Sequence, residues 1–354
     1  MVCKTQALAL AQKCSNHILK IDDKERNDWN HADIKLTALC SLWSGMGHIY
    51  RVSLWNGKAE FVIKHVAPPN RKGQSFGDKR KADSYQVESN FYDRVASDLQ
   101  DRHGLELPKP YLVERGPTDG EITICMSLLR GTPINPSNKE DVCAVLAWLA
   151  KFHSTYWGEE SIDRLVQDVG VQAIGTYWHL DTRPEELLSM PSRGWEGRLK
   201  RAARAIDVCL KRDPMQCLIH GDAKEANILR RLDGSKGVAM YDFQYCGKGT
   251  PTKDLAYFLC SSADYHDEDE LLLYYHSCLS SNLSNQNGVS PPTIQHLKDS
   301  LELSYSDFCR FMSGWGYWGN TIQDRVKKLL DRLDGGKDLG SDEAYEEAIK
   351  KEFW

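Results

Sequence analysis

No stretch of this 354-residue chain is apolar over the roughly 20 residues a membrane-spanning helix needs. The apolar patch from Ala7 to Ala11 is also too short for the hydrophobic region of a signal peptide. An excess of one charge is lacking as well, since 45 Lys and Arg face 50 Asp and Glu, for a net charge of -5. A nucleic-acid partner favours a basic face, so none is expected, and no membrane partner is expected either. Basic and acidic residues number 19 and 16 up to Arg130, and 26 and 34 beyond it. That mildly acidic second part favours a neutral or cationic small molecule over an anionic one. Cys-x-x-Cys spacing is absent. The eleven cysteines are odd in number, and Cys125, Cys143, Cys217 and Cys260 lie in apolar stretches, the setting of reduced, buried thiols. A cytoplasmic protein is expected; there is no internal repeat, and the oligomeric state stays open.

What the chain does contain is concentrated around His220-Gly221-Asp222-Ala223-Lys224-Glu225-Ala226-Asn227 and the later Tyr241-Asp242-Phe243-Gln244. A carboxylate, an amide five residues on and a second carboxylate twenty residues after the first meet the needs of Mg-ATP phosphoryl transfer. Such a transfer passes through a loose transition state, so the protein positions the reactants and neutralises charge. Asp222 would take the proton of the acceptor hydroxyl, while Asn227 and Asp242 would hold Mg2+ through the oxygen ligands hard cations prefer. Apolar residues precede both acids, at 216–219 and 238–241, predicting a strand that delivers each acid to a loop. A lone His-Gly-Asp is an ordinary turn; the ordered set with Thr252-Lys253-Asp254-Leu255-Ala256 carries the reading.

That ordered pattern resembles the aminoglycoside phosphotransferase and choline kinase superfamily over roughly residues 40 to 320. Asp242-Phe243-Gln244, Glu88-Ser89-Asn90-Phe91-Tyr92 and Phe152-His153-Ser154-Thr155-Tyr156-Trp157 are similar to its ecdysteroid kinase-like (CHK kinase-like) branch. The resemblance implies an α+β, bilobal protein-kinase-like fold. Residues 1–130 would form a nucleotide-binding lobe with a five-stranded antiparallel sheet and an amino-terminal helical extension. Residues 131–354 would form a mainly helical catalytic and acceptor-binding lobe. It also implies that Asp254 braces the catalytic loop from the start of the next helix. Lys224 departs from the branch: protein kinases place a lysine there near the transferred phosphate, and the alternative is a solvated loop lysine. His-Gly-Asp in place of His-Arg-Asp, Asp-Phe-Gln in place of Asp-Phe-Gly and the lack of Ala-Pro-Glu argue against a protein kinase.

In the first part, residues 39–43, 49–55, 59–66, 110–114 and 121–129 read as strands, with Asn56-Gly57 as a hairpin signal. Gly45 and Gly47 between two strands could bring amides to phosphates or form a plain turn. Lys64 at the end of a strand matches the lysine that grips the α and β phosphates of ATP, with Glu88 on a helix over 83–100 as its ion-pair partner. Residues 68–81 read as a loop, and Ser127 to Gly131 as the segment whose backbone meets adenine. In the second part, helices are expected from Asn138 to Trp157, Asp254 to Ser262, Glu268 to Ser281 and Thr293 to Met312, with His153 a core histidine. Phe308, Phe311, Trp315, Tyr317 and Trp318 either line an acceptor pocket or pack a helix end. The expected activity is that of a small-molecule kinase using ATP and Mg2+ on an alcohol; the alternatives are a choline- or ethanolamine-type kinase and a nucleotide-binding module without transfer.

Overall fold

The computed structural model divides into two compact units, Met1–Arg130 and Gly131–Trp354. It describes residues 9–15, 18, 34–54, 57–69, 76–234, 236–264, 267–286 and 288–353. In the first unit β1 (Ile34–Ser41), β2 (Gly47–Leu54), β3 (Ala59–Val66), β4 (Pro110–Arg115) and β5 (Ile122–Ser127) form one antiparallel sheet in the order β1-β2-β3-β5-β4. Side chains alternate across a strand, so Tyr50, Val52, Leu54, Phe61, Ile63 and Cys125 share one face. They pack around Ala11 and Cys14 of the helical residues 9–15. The register Ile63↔Cys125, Lys64↔Ile124 then sends Lys64 to the other face, where it meets α1 (Phe76–Arg94).

Three expectations change here. Helix α1 begins at Phe76, so 76–81 is not loop; residues 70–75 of that expected loop and Asn56 of the hairpin lie outside the described residues. The helix expected over 83–100 is two helices, α1 and α2 (Ala96–Asp101), separated at Val95. Residues Trp43–Gly45, partly expected as strand, form a single 3-10 turn.

The second unit is mainly helical. Its β6 (Gly131–Pro133), β8 (Ile228–Arg231) and β9 (Val238–Met240) make a small sheet in the order β6-β8-β9, and β7 (Cys217–Ile219) pairs with β10 (Gly247–Gly249). Around them stand α3 (Lys139–Thr155), α4 (Glu159–Val169), α5 (Pro184–Ser189), α6 (Gly194–Arg212), α7 (Thr252–Ser261), α8 (Glu268–Ser284), α9 (Ile294–Trp315), α10 (Gln323–Asp334) and α11 (Asp342–Phe353). Four of the described helices start where a side chain satisfies an otherwise orphaned N–H: Asn138 accepts from Asp141, Asp267 from Glu270, Thr293 from His296 and Ser341 from Ala344. Helix α3 packs on α8, and α9 packs on α6 and α7. No described helix is long and apolar enough to cross a membrane.

Candidate active site

Strand β7 ends at Ile219, just before His220, and β9 ends two residues before Asp242, so two neighbouring loops carry the candidate residues. The β7 loop is held from below by Asp254 in the first turn of α7. Its Oδ2 accepts the His220 N–H at 2.6 Å and its Oδ1 the Gly221 N–H at 2.8 Å. His153 completes the brace from α3: Nε2 lies 3.1 Å from Asp254 Oδ2, and Nδ1 lies 2.8 Å from the Tyr275 hydroxyl. Both His153 nitrogens are thus used in a fully buried site, the arrangement expected of a core histidine.

His220 ties the two loops together. Its Nε2 donates to the Tyr241 carbonyl at 3.1 Å, so Nδ1 carries no proton and accepts the Asp222 N–H at 3.3 Å. Complete burial lowers its pKa, keeping this neutral form. Its ring lies against Phe243, with centroids 4.8 Å apart. Gly221 is glycine for two reasons: its φ is +78°, and a Cβ there would lie 2.1 Å from the Tyr245 carbonyl oxygen.

Asp222 is only 3% exposed. Its Oδ2 accepts from Lys224 Nζ at 2.9 Å and from Asn227 Nδ2 at 3.0 Å, while the same Asn227 amide also donates to the Asp222 carbonyl at 2.9 Å. Burial pushes the Asp222 carboxyl up to about 6; Lys224 opposes the shift and the negative charge of Asp242 adds to it. Lys224 is therefore tied to the carboxylate and is not a freely solvated lysine. Asp242 has a φ of +68°, a conformation rare outside glycine, and such strain is found preferentially at functional sites.

With Nδ2 of Asn227 committed to Asp222, Oδ1 is the atom left for a metal, and the Tyr241 N–H on the Asn227 carbonyl at 3.1 Å joins its loop to the one that carries Asp242. This all-oxygen donor set suits magnesium, which usually takes one or two protein oxygens and completes its shell with phosphates and water. Among the described residues no cluster of three or more His, Cys, Asp or Glu side chains forms a metal site. Two protein donors alone fit a substrate-completed site and not a closed cage.

In the first unit Lys64 Nζ lies 2.6 Å from Glu88 Oε2, with both side chains nearly inaccessible, and 5.3 Å from the Tyr85 ring centroid. Gly45 lies in the turn between β1 and β2 and Gly47 opens β2, the turn being closed by the Leu42 N–H on the Gly47 carbonyl at 2.8 Å. A Cβ on Gly47 would sit 2.0 Å from the His65 carbonyl oxygen, so packing against β3 accounts for this glycine; Gly45, at φ +70°, faces open space.

The profile of the phosphotransferase enzyme family (APH) matches residues 41–276, two thirds of the chain, and spans the Asp222, Asn227 and Asp242 loops. The chain belongs to this phosphotransferase family. It shares its fold with a microcompartment-associated aminopropanol kinase (TM-score 0.51, 15% identity, 92% of this chain and 97% of that one). A candidate aminoglycoside phosphotransferase of Ralstonia eutropha JMP134 is similarly related (TM-score 0.52, 11% identity, 96% and 98%). At these identities the likeness concerns the fold: an α+β chain with a five-stranded antiparallel amino-terminal sheet and a helical carboxy-terminal part. No curated protein matches the chain significantly in sequence.

Near Asp222 the structure places residues that the sequence pattern does not single out. The Tyr177 hydroxyl donates to that of Tyr257 at 3.2 Å, and Tyr257 lies beside Asp222. Arg183 places its guanidinium over the rings of Tyr177, Phe311 and Trp315 at 5.3, 4.9 and 5.4 Å, donates to the Tyr177 carbonyl at 2.8 Å and pairs with Glu186 at 3.1 Å. Of the aromatic run, Phe308 and Phe311 are buried in the core, whereas Trp315 is 64% and Tyr317 43% exposed. The only anticipatory signal for Tyr257 is its spacing, three residues after Asp254 on one face of α7.

Proposed function

We propose that this phosphotransferase is an ATP-dependent kinase that moves the γ-phosphate of Mg-ATP to a hydroxyl group of a small-molecule alcohol, with Asp222 as proton acceptor. The observation that carries this reading is the state of Asp222: buried, gripped through Oδ2 by Lys224 and Asn227, and raised to about 6, where a carboxylate is poised as a base near neutral pH. Asn227 and Asp242 are the proposed magnesium ligands; bound there, the ion would neutralise charge on the transferring phosphates. Lys224, while steadying Asp222, is proposed to meet a phosphate oxygen. In the first unit Lys64, fixed by Glu88, is proposed to hold the α and β phosphates, and the turn with Gly45 and Gly47 to cover them.

The acceptor is proposed to be uncharged, as in the ecdysteroid kinase-like branch that the Glu88–Tyr92 and Phe152–Trp157 runs resemble. A choline- or ethanolamine-type acceptor needs aromatic faces for its cation, and the Tyr177, Phe311 and Trp315 faces already hold Arg183. The ten described cysteines are all free thiols, which supports a reducing, cytoplasmic setting.

The assignment is tested by titrating ATP into wild type and Asp242→Ala calorimetrically, with and without magnesium. The kinase reading expects the magnesium dependence of binding to collapse in the variant. An unchanged dependence would remove Asp242 from the metal site, and absence of ADP release with every alcohol tried would favour a binding module.

A further inference from the structure

The two oxygens of Asp222 are treated differently. Oδ2 takes two charge-assisted or amide hydrogen bonds, but Oδ1, buried, has no hydrogen bond of ordinary geometry among the described residues. A buried carboxylate oxygen without a partner is costly and calls for an explanation. Next to that carboxylate lies the hydroxyl of Tyr257, itself only 4% exposed. This hydroxyl already accepts the proton of Tyr177 Oη at 3.2 Å, so its own proton is free to point elsewhere.

The surroundings fix both tyrosines. Tyr257 sits one turn beyond Asp254 on α7, so the helix that braces the backbone of His220 and Gly221 also presents a hydroxyl to the next residue's side chain. Its ring is packed edge-on against Phe308 at 5.1 Å and Tyr177 at 5.7 Å. Tyr177 is held in turn by Arg183 and by an edge-on contact with Phe311 at 5.6 Å. Arg310 anchors the next residue by donating to the Trp178 carbonyl at 2.8 Å.

Resting on the kinase reading, we propose that Tyr257 is a positioning residue for the proton acceptor: its hydroxyl, oriented by Tyr177, donates to Oδ1 of Asp222 and aims that oxygen at the acceptor alcohol. In the transfer step the acceptor O–H bond breaks, its proton forms a bond to Oδ1, and the alcohol oxygen bonds to the γ-phosphorus as the bond to ADP breaks. Tyr257 itself gains and loses nothing. Without its hydroxyl the carboxylate is held through Oδ2 alone, the aim of Oδ1 loosens, and turnover falls while nucleotide binding is untouched.

The test uses the full chain labelled with ¹³C at tyrosine Cζ. The Tyr257 signal is identified by its loss in Tyr257→Phe, and it is expected to move in Asp222→Asn and in Tyr177→Phe. In parallel, ADP release with a panel of alcohols should drop about tenfold or more in Tyr257→Phe at an unchanged Michaelis constant for ATP, the size of one lost hydrogen bond to a charged group. A Tyr257 signal indifferent to Asp222→Asn overturns the contact even if the enzyme turns over normally. A shifted signal with wild-type turnover in Tyr257→Phe overturns the positioning role. A shifted signal with no ADP release from the wild type under any alcohol sinks the kinase reading and leaves the contact standing.

Discussion

The backbone N–H of His220 donates to Oδ2 of Asp254 at 2.6 Å across 34 residues of chain, and through this bond α7 fixes the loop that carries Asp222. Asp254→Ala strips the acceptor from two buried N–H groups and from Nε2 of His153. Each orphaned buried donor costs about 1–3 kcal/mol, so a stability loss of about 3 kcal/mol or more is expected in urea denaturation, with a collapse of activity. An unaltered denaturation midpoint would mean the brace is not structural.

Lys64 and Glu88 form a pair so buried that breaking it should cost stability as well as the nucleotide binding proposed for it. The sequence alone predicts that Lys64→Met spares the fold; the burial of Glu88 changes that expectation. Removing one partner of a buried pair costs about 3–5 kcal/mol, because the other charge is left uncompensated. Lys64→Met should therefore be markedly less stable than wild type, and Lys64→Met combined with Glu88→Gln should recover much of the loss while still binding ATP poorly. A double variant no more stable than the single one would show that the pair is not energetically coupled.

The raised carboxyl of Asp222 sets a pH limb. A base works only when deprotonated, so kcat/KM for ADP release should be level above about pH 6 and fall about tenfold per unit below it. Lys224 lowers the Asp222 pKa by charge and hydrogen bond. Lys224→Met removes both and should move the limb to higher pH. A limb that stays in place in Lys224→Met would detach that lysine from the proton acceptor.

Much of this arrangement is legible in the sequence because the chemistry confines it to one stretch. Asp222, Asn227 and Asp242 stand on loops after short apolar strands, and no distant contact is needed to recognise their order. Lys64 and Glu88 are legible from a strand followed by a helix. What escaped depends on parts of the chain that are distant in sequence. Gly47 has a packing reason to be glycine, the His65 carbonyl pressing where its Cβ would be, and that contact comes from a strand the local pattern does not reveal. The first turns of α1, rich in Lys, Arg and Asp, carry too little apolar periodicity to announce a helix; its later turns bury Tyr85, Phe91 and Tyr92. Tyr177 and Tyr257 reach the Asp222 neighbourhood from separate segments, and apart from the spacing of Tyr257 after Asp254 nothing local marks them.

The most direct measurement of the central claim is the comparison of wild type and Asp222→Asn for Mg-ATP affinity by calorimetry and for ADP release with a phosphorylatable alcohol. Asparagine keeps the size of the side chain and loses the basic carboxylate. The account predicts nearly equal ATP affinities, since metal contact is assigned to Asn227 and Asp242, with turnover lowered about 10²- to 10⁴-fold. Wild-type turnover in Asp222→Asn would contradict it.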